Sequence, residues 1–334
     1  MNFTKTQYND ILIILLLFLF SLFSCSGEKN ISQQYQNFIP EIDGDWWQVA
    51  GNPDLGPLTS DEQQPVDFGI WQAADGSWQI WSCIRKTKEK GNTRLFYCWE
   101  GETFEQENWQ PMGIAMRADS TLGETPGGLQ APYVFKHHYK YYMFYGDWTR
   151  ICLAESDDGK HFNRVIRNGT PALFGDPSET NTRDPMIIQH GDLWYCYYTA
   201  HPGNDGAIYA RTSDDFFSWS SSKIVSYGGN PGKGKLWYAE CPHVVENPES
   251  NYFLFRTHSY GNYQSGQLIS PPKTNIYRSS DPLDFGIDND RYLITQLPVA
   301  APEIIHFEGQ WYIAALMPDL QGIRIARLKW VQSE

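Results

Sequence analysis

Basic residues are in short supply in this chain. Lys and Arg number 26 against 39 Asp and Glu, which gives a net charge of -13 and a pI near 5.0. With no basic stripe to neutralise phosphates, a nucleic-acid partner is excluded. Long apolar runs are missing too. The longest, Ile11 to Phe23, has thirteen residues, short of the ~20 that a membrane-spanning helix needs. Cysteines are few, and those of the body (Cys83, Cys98, Cys152, Cys196 and Cys241) are odd in number and lack close metal-ligand spacing. No His and Asp pair has dedicated spacing either, so nothing demands a metal. No stretch reads as a helix of consequence.

What the first thirty residues do have is the make-up of a targeting segment. Lys5 supplies a positive start, and the run from Ile11 suits a signal peptide. It ends in Leu22-Phe23-Ser24-Cys25, which resembles a bacterial lipoprotein box. The resemblance implies that Cys25 is lipidated and that the protein is an exported lipoprotein, periplasmic or anchored at the outer membrane or cell surface without spanning it. An ordinary secretory signal with an incidental Cys is the alternative. The expected division is a signal peptide over 1–24, a lipidated tether and irregular lead-in over 25–58, and one domain over 59–334. Trp46-Trp47 and Gly51-Asn52-Pro53-Asp54 in the lead-in are expected to pack against the last repeat and close a ring.

The domain is built on a repeated unit. Thr182-Arg183-Asp184-Pro185-Met186-Ile187-Ile188 reads as a strand, Gly191-Asp192 as a hairpin turn, and Leu193 to Tyr198 as the returning strand. Similar units start at Asp67, Ala131, Cys241 and Ala301, spaced 53 to 64 residues apart. Short strands at that period predict propeller blades, and five copies predict an all-β, five-bladed β-propeller. Third strands end in shared turns at Ser156-Asp157-Asp158, Ser213-Asp214-Asp215 and Ser280-Asp281-Pro282. Those acids are expected to satisfy local backbone donors and not a metal. Cys83 and Cys98 flank a hairpin near Lys90-Gly91, where an exported protein permits a disulfide.

Aromatic residues are abundant, with 13 Trp, 20 Tyr and 18 Phe. Blade packing accounts for most of them, and exposed rings would stack on sugar faces. In a propeller the first strands line the central channel, so the five heads converge on one mouth. The heads are Asp67, Ala131, Asp184, Cys241 and Ala301; one residue earlier stand Val66, Gln130, Arg183, Glu240 and Ala300. Asp67, Asp184 and Glu240 therefore point into one cavity from blades one, three and four. Clustered carboxylates raise one another's pKa. Glycoside hydrolysis uses such a set, with one carboxyl kept protonated to donate to the leaving oxygen and another ionised as base or nucleophile.

Arg183-Asp184-Pro185 and Glu240-Cys241-Pro242 resemble the Arg-Asp-Pro and Glu-Cys motifs of glycoside hydrolase family 32. An acid at the first head, an Asp at the third and a Glu-x-Pro in blade four are similar to the plan of family 43. Each motif alone is a weak match; together, in order, they are stronger. The resemblance spans about Asp61 to Trp330. It implies a five-bladed propeller with Asp67 as nucleophile or general base, Asp184 as supporting residue and Glu240 as general acid. Family 32 opens blade one with Asn-Asp-Pro-Asn-Gly where this chain has Val66-Asp67-Phe68-Gly69, and it usually adds a C-terminal β-sandwich, whereas this chain stops at Glu334. Both departures favour a relative of family 43 or an outlying group of the same superfamily, and they make Asp67 the loosest of the three assignments. Several hydrolases of this kind hold a structural cation in the channel, but no cofactor is expected to be required here.

The second strand of each blade runs back to the channel mouth, so its end should lie beside a head. Those ends hold Arg85, Asp147-Trp148, His201, Arg256 and His258, and Asp319. Trp148 is a candidate stacking platform, Arg256 and His258 are candidate partners of hydroxyls or carboxylates, and Arg183 is a candidate clamp on Asp184. For each singly, a buried structural role competes. The expected activity is hydrolysis of glycosidic bonds in oligo- or polysaccharides by a monomer whose partners are its carbohydrate substrate and a lipid anchor. A sugar-binding surface lipoprotein with a lapsed site and an interaction scaffold are the competing readings.

Overall fold

The computed structural model describes residues 38–247 and 251–332. The expected signal peptide, Cys25 and most of the tether lie outside the described residues. Two compact units divide what is described. The smaller consists of two short stretches of strand, 38–41 and 330–332. The larger, Ile42–Lys329, carries the blades.

In chain order, β1 (Phe38–Gly51) comes first. Blade one follows with β2 (Gln64–Gln72), β3 (Trp78–Arg85), β4 (Leu95–Gly101) and β5 (Gln110–Met116). Blade two has β6 (Gln130–His137), β7 (Lys140–Gly146), β8 (Ile151–Ser156), a two-residue β9 (Asn163–Arg164) and β10 (Ala172–Phe174). Blade three has β11 (Arg183–His190), β12 (Leu193–Ala200), β13 (Ala207–Ser213) and β14 (Lys223–Ser226). Blade four has β15 (Glu240–Glu246), β16 (Tyr252–Ser259), β19 (Lys273–Ser279) and β20 (Leu293–Leu297), interrupted by a hairpin of β17 (Asn262–Gln264) and β18 (Gln267–Ser270). Blade five has β21 (Glu303–Phe307), β22 (Gln310–Leu316) and β23 (Gly322–Gln332), and β1 supplies its fourth strand beside β23. The protein is thus all-β with five antiparallel blades.

The lead-in is more regular than the sequence suggested. It forms a long strand that completes blade five, and it also holds blade one, because Asn108 and Trp109 donate backbone N–H groups to Gln48 O and Val49 O at 2.9 and 2.7 Å. Outer strands β5, β10 and β14 escaped the repeat analysis because they lie at blade rims, where half-exposed residues blur the alternation.

Aromatic rings fill the spaces between blades. Trp71 packs on Trp81 and Phe162 at centroid distances of 6.0 and 5.8 Å, and its indole N–H donates to Gly159 O. Phe135 meets Trp194 at 5.3 Å, and Phe104 meets Tyr312 at 4.6 Å. The turn acids behave locally: Asp158 accepts from Lys160 N and His161 N, Asp215 from Phe217 N and Ser218 N, and Asp281 from Leu283 N.

The expected bridge between Cys83 and Cys98 is not formed, and both are free thiols. Register explains it. Cys83 faces Phe96 and Cys98 faces Trp81, so the two cysteines are diagonal neighbours. Diagonal positions sit ~7–8 Å apart, beyond disulfide reach.

Candidate active site

Each first strand begins with the same backbone device. Asp67, Ala131, Asp184, Cys241 and Ala301 all have left-handed φ, between 40° and 54°. In blades one to four the pairing register shifts at this point, between Val66 and Phe68, Gln130 and Tyr133, Arg183 and Met186, and Glu240 and His243. Successive residues of a regular strand point to opposite faces, and an inserted residue breaks that rule. Two consecutive side chains can then serve the channel. Arg183 and Glu240 line a cavity at its mouth, while their successors Asp184 and Cys241 line a narrow neck of about 20 Å³ beneath. Asp67 borders both.

At the neck, Cys241 Sγ lies 3.5 Å from Asp67 Oδ1, 3.7 Å from Asp184 Oδ2 and 3.3 Å from the Tyr260 hydroxyl. One oxygen of each Asp and the sulfur fall within 4.8 Å of one another. Cys241 N donates to Asp184 Oδ2 at 3.2 Å, and Asp184 Oδ1 is buried without a partner. The Arg183 guanidinium bonds Glu240 Oε1 through Nη2, holds its Nε 3.6 Å from Asp184 Oδ2, and donates from Nη1 to Asn181 O at 3.0 Å.

Burial pushes the Asp67 carboxyl up to about 7, and the charges of Asp184 and Glu240 add to the effect while Arg85 and Arg183 oppose it. Glu240 is also raised, chiefly by burial, with the Arg183 charge and the Tyr260 hydrogen bond pulling the other way. Burial holds the Cys241 thiol and the Tyr260 phenol far above their ordinary values, so both stay protonated. His201 is lowered by burial and by Arg183, which keeps it neutral at pH 7.

The cavity over this group measures about 660 Å³. Of the side chains expected from sequence, Asp67, Arg85, Trp148, Arg183, His201 and Glu240 line it, and Asp184 lies just below. Three expected contacts are elsewhere. Asp147 is fully buried, accepting from Thr149 N and Arg150 N and pairing with the Arg150 guanidinium. Arg256 donates to Ser226 Oγ and Gly228 O and stacks on Tyr277. His258 meets Asn275 and Gln296, and burial beside Arg256 takes it down to about 4. Asp147 and His258 have their partners inside their own blades, and Arg256 reaches across to the end of β14 and the connection after it. Asp319 accepts from Gln321 N in its own turn.

The sequence reading missed Arg94, Gln130, Asn181, Trp237 and Tyr260, which also line the cavity. Gln130 had a signal, since it aligns with Arg183 and Glu240 one residue ahead of the heads. The others stand on connections whose course no repeat dictates.

Asp67, Asp184 and Cys241 are the residues at the neck that could hold the channel cation considered from the sequence, two carboxylate oxygens and one sulfur.

The family model for the glycosyl hydrolases family 32 N-terminal domain matches residues 98–288, more than half of the chain. No curated protein sequence matches. Among solved structures, a thermostable family-43 glycoside hydrolase is similar at 16% identity and TM-score 0.56, over 84% of this chain and 94% of that one. An endo-arabinase from Bacteroides thetaiotaomicron gives 12% and 0.56 over 84% and 98%. A family 32 beta-fructofuranosidase from Bombyx mori gives 14% and 0.54 over 90% and 65%. At these identities the solved structures speak to fold alone.

Proposed function

The chain belongs to the family of the glycosyl hydrolases family 32 N-terminal domain, and from that premise we propose that it hydrolyses glycosidic bonds of an oligo- or polysaccharide in the cavity over Asp67, Asp184 and Glu240. One observation carries the proposal: carboxylates from three separate blades meet at one end of the channel, Glu240 in a pocket large enough for a sugar, Asp184 in the neck beneath it and Asp67 bordering both.

Glu240 is the general acid. Its raised pKa favours retention of a proton, which it gives to the departing oxygen as the bond to the anomeric carbon breaks. Asp67 acts on the anomeric carbon, either directly as nucleophile or by taking a proton from the attacking water. Asp184, with its unpartnered Oδ1, supports positive charge developing on the sugar ring, and Arg183 holds Asp184 and Glu240 in register. Neutral Tyr260 orients Glu240. Export and lipid attachment at Cys25 belong to the same proposal and are supported by the sequence around Leu22-Phe23-Ser24-Cys25.

A non-catalytic sugar-binding role is the second reading. The bond from Arg183 to Glu240 Oε1 favours it, because a paired carboxylate gives up its proton more readily. Glu240→Gln decides between them. Hydrolysis of a screen of aryl glycosides and plant or algal oligosaccharides should fall about 10²–10⁴-fold with the fold unchanged. Sugar binding with no turnover by the wild type would replace the hydrolase reading with the binding one.

A further inference from the structure

We propose that the sugar unit held in the cavity carries an anionic substituent, a carboxylate or a sulfate or phosphate ester, gripped by Arg94 and Arg85. This deepens the hydrolase reading and rests on it for the place of the bond to be cut.

The two arginines differ from Arg183, the other arginine that lines the cavity, and from five more elsewhere. Arg117, Arg150, Arg164, Arg183, Arg211 and Arg291 each contact a carboxylate. Arg85 and Arg94 line the cavity with none within 4.0 Å among the described residues. The Arg85 Nε donates to an uncharged atom, Gln64 Oε1, at 3.0 Å. The Arg94 guanidinium lies 4.7 Å from the centre of the Trp148 ring, and its Nε is buried without a partner. An indole face stabilises a cation but accepts none of its in-plane N–H bonds. Those donors form a planar fork that matches an oxyanion. Beside a sugar-sized cavity, two guanidinium groups with no carboxylate in ion-pair reach, Arg85 acting on Asp67 only through its longer-range charge, point to a ligand that brings its own negative charge.

Other groups there are also unfilled. Gln130 Oε1, Asn181 Oδ1 and both ring nitrogens of His201 have no hydrogen-bond partner, although Gln130 is 1% and His201 8% exposed. Buried polar atoms are nearly always satisfied, and here a polyhydroxylated ligand would satisfy them.

The wall that carries Arg94 is fixed in advance. Arg94 N donates to Gly127 O at 2.9 Å. The next glycine, Gly128, packs so tightly that a Cβ would come within 2.8 Å of Asp147 O. Asp147 in turn ties down the Trp148 turn, where Trp148 holds a left-handed φ of 82°. Such strain in a bulky residue persists where the surroundings impose it, commonly at ligand clamps.

The test uses the chain carrying Glu240→Gln, which binds without cutting, and follows the change in tryptophan fluorescence. Tri-galacturonate is compared with its methyl ester, and a sulfated galactan oligosaccharide with its desulfated form; inorganic sulfate and phosphate serve as sugar-free probes. The anionic member of one pair should bind at least tenfold more tightly, lose that advantage when Arg94→Gln or Arg85→Gln is added, and weaken as salt rises. Which pair responds distinguishes a uronate from a sulfate ester, and competition by phosphate alone assigns a phosphorylated sugar. Equal affinity within both pairs with no competition by either ion, or an advantage that survives both substitutions, overturns the inference. If Arg94→Gln fails to fold, Arg85→Gln and the salt dependence decide. Parallel assays of the wild type separate the two proposals: turnover of neutral glycosides only sinks this inference and leaves the hydrolase, whereas tight anionic binding with no turnover of any glycoside does the reverse.

Discussion

Asp67 is half-buried at the neck, and its carboxyl titrates near pH 7 because water has been removed and two other carboxyls stand close. That couples the proposed catalysis to stability. The folded-state value lies above the ordinary 3.8, so the folded protein holds a proton that the unfolded chain has released. The stabilising contribution is complete below about pH 4 and is lost as pH rises through about 7. Asp67→Asn removes the charge that must be buried at high pH. Its Tm should exceed that of the wild type by several degrees at pH 8, and the gap should close by pH 4. Melting curves that stay parallel across that range would remove the strained-carboxylate account of the site. In the wild type, the acid limb of kcat/KM should fall near pH 7 for the same reason. At this scale the three acids were legible in the sequence, because alignment of repeats turns sequence position into spatial position. Arg94 and Tyr260 were not, since each is delivered by a connection that belongs to one blade only.

The strand heads show why one element can aim two neighbouring side chains at one site. A left-handed φ costs a non-glycine residue on the order of 1–3 kcal/mol, and it recurs at all five heads, including those that hold only Ala. The device therefore belongs to the blade, and the proposed site borrows it at three of the five. Proline follows the head in four copies, at Pro132, Pro185, Pro242 and Pro302. Proline inside a strand marks a position with no ladder bond to give, so the bulge had a signature that simple alternation conceals. Ala301 is buried with φ of 47°. Glycine there relieves strain of ~1 kcal/mol and loses one buried methyl group of similar worth, so Ala301→Gly should change stability by less than about 1 kcal/mol. Ala301→Val adds a β-branched side chain that is least tolerant of this φ in a packed channel and should cost at least ~2 kcal/mol. Urea unfolding of the two variants measures the difference. Equal costs would place the strain elsewhere.

For the whole molecule, closure is the outstanding mechanical requirement. Residues 42–51 complete blade five and reach blade one through Gln48 and Val49, with Trp46 under the Arg324 guanidinium and Trp47 edge-on to Tyr312. Without them β23 would present an open edge, a template for association between molecules. A chain lacking residues 1–51 should aggregate or lose more than ~10 °C in Tm relative to one that starts at residue 36. Scanning calorimetry with light scattering checks this, and an unchanged melting point would show that the ring does not depend on its first strand.

The sequence by itself determined the blade count, the first hairpin of each blade and the positions of the three acids, because the repeat period is local and survives into the fold. It also marked Arg85, Trp148, Arg183 and His201 as candidates beside the heads. Only the tertiary structure decided that Asp147, Arg256 and His258, placed by the same argument, are instead spent on Arg150, Ser226 and Asn275. A polar group taken out of water bonds to whichever neighbour the packing supplies: for Asp147 that is its own turn, and for Arg256 and His258 it is another strand or loop whose approach no local pattern encodes.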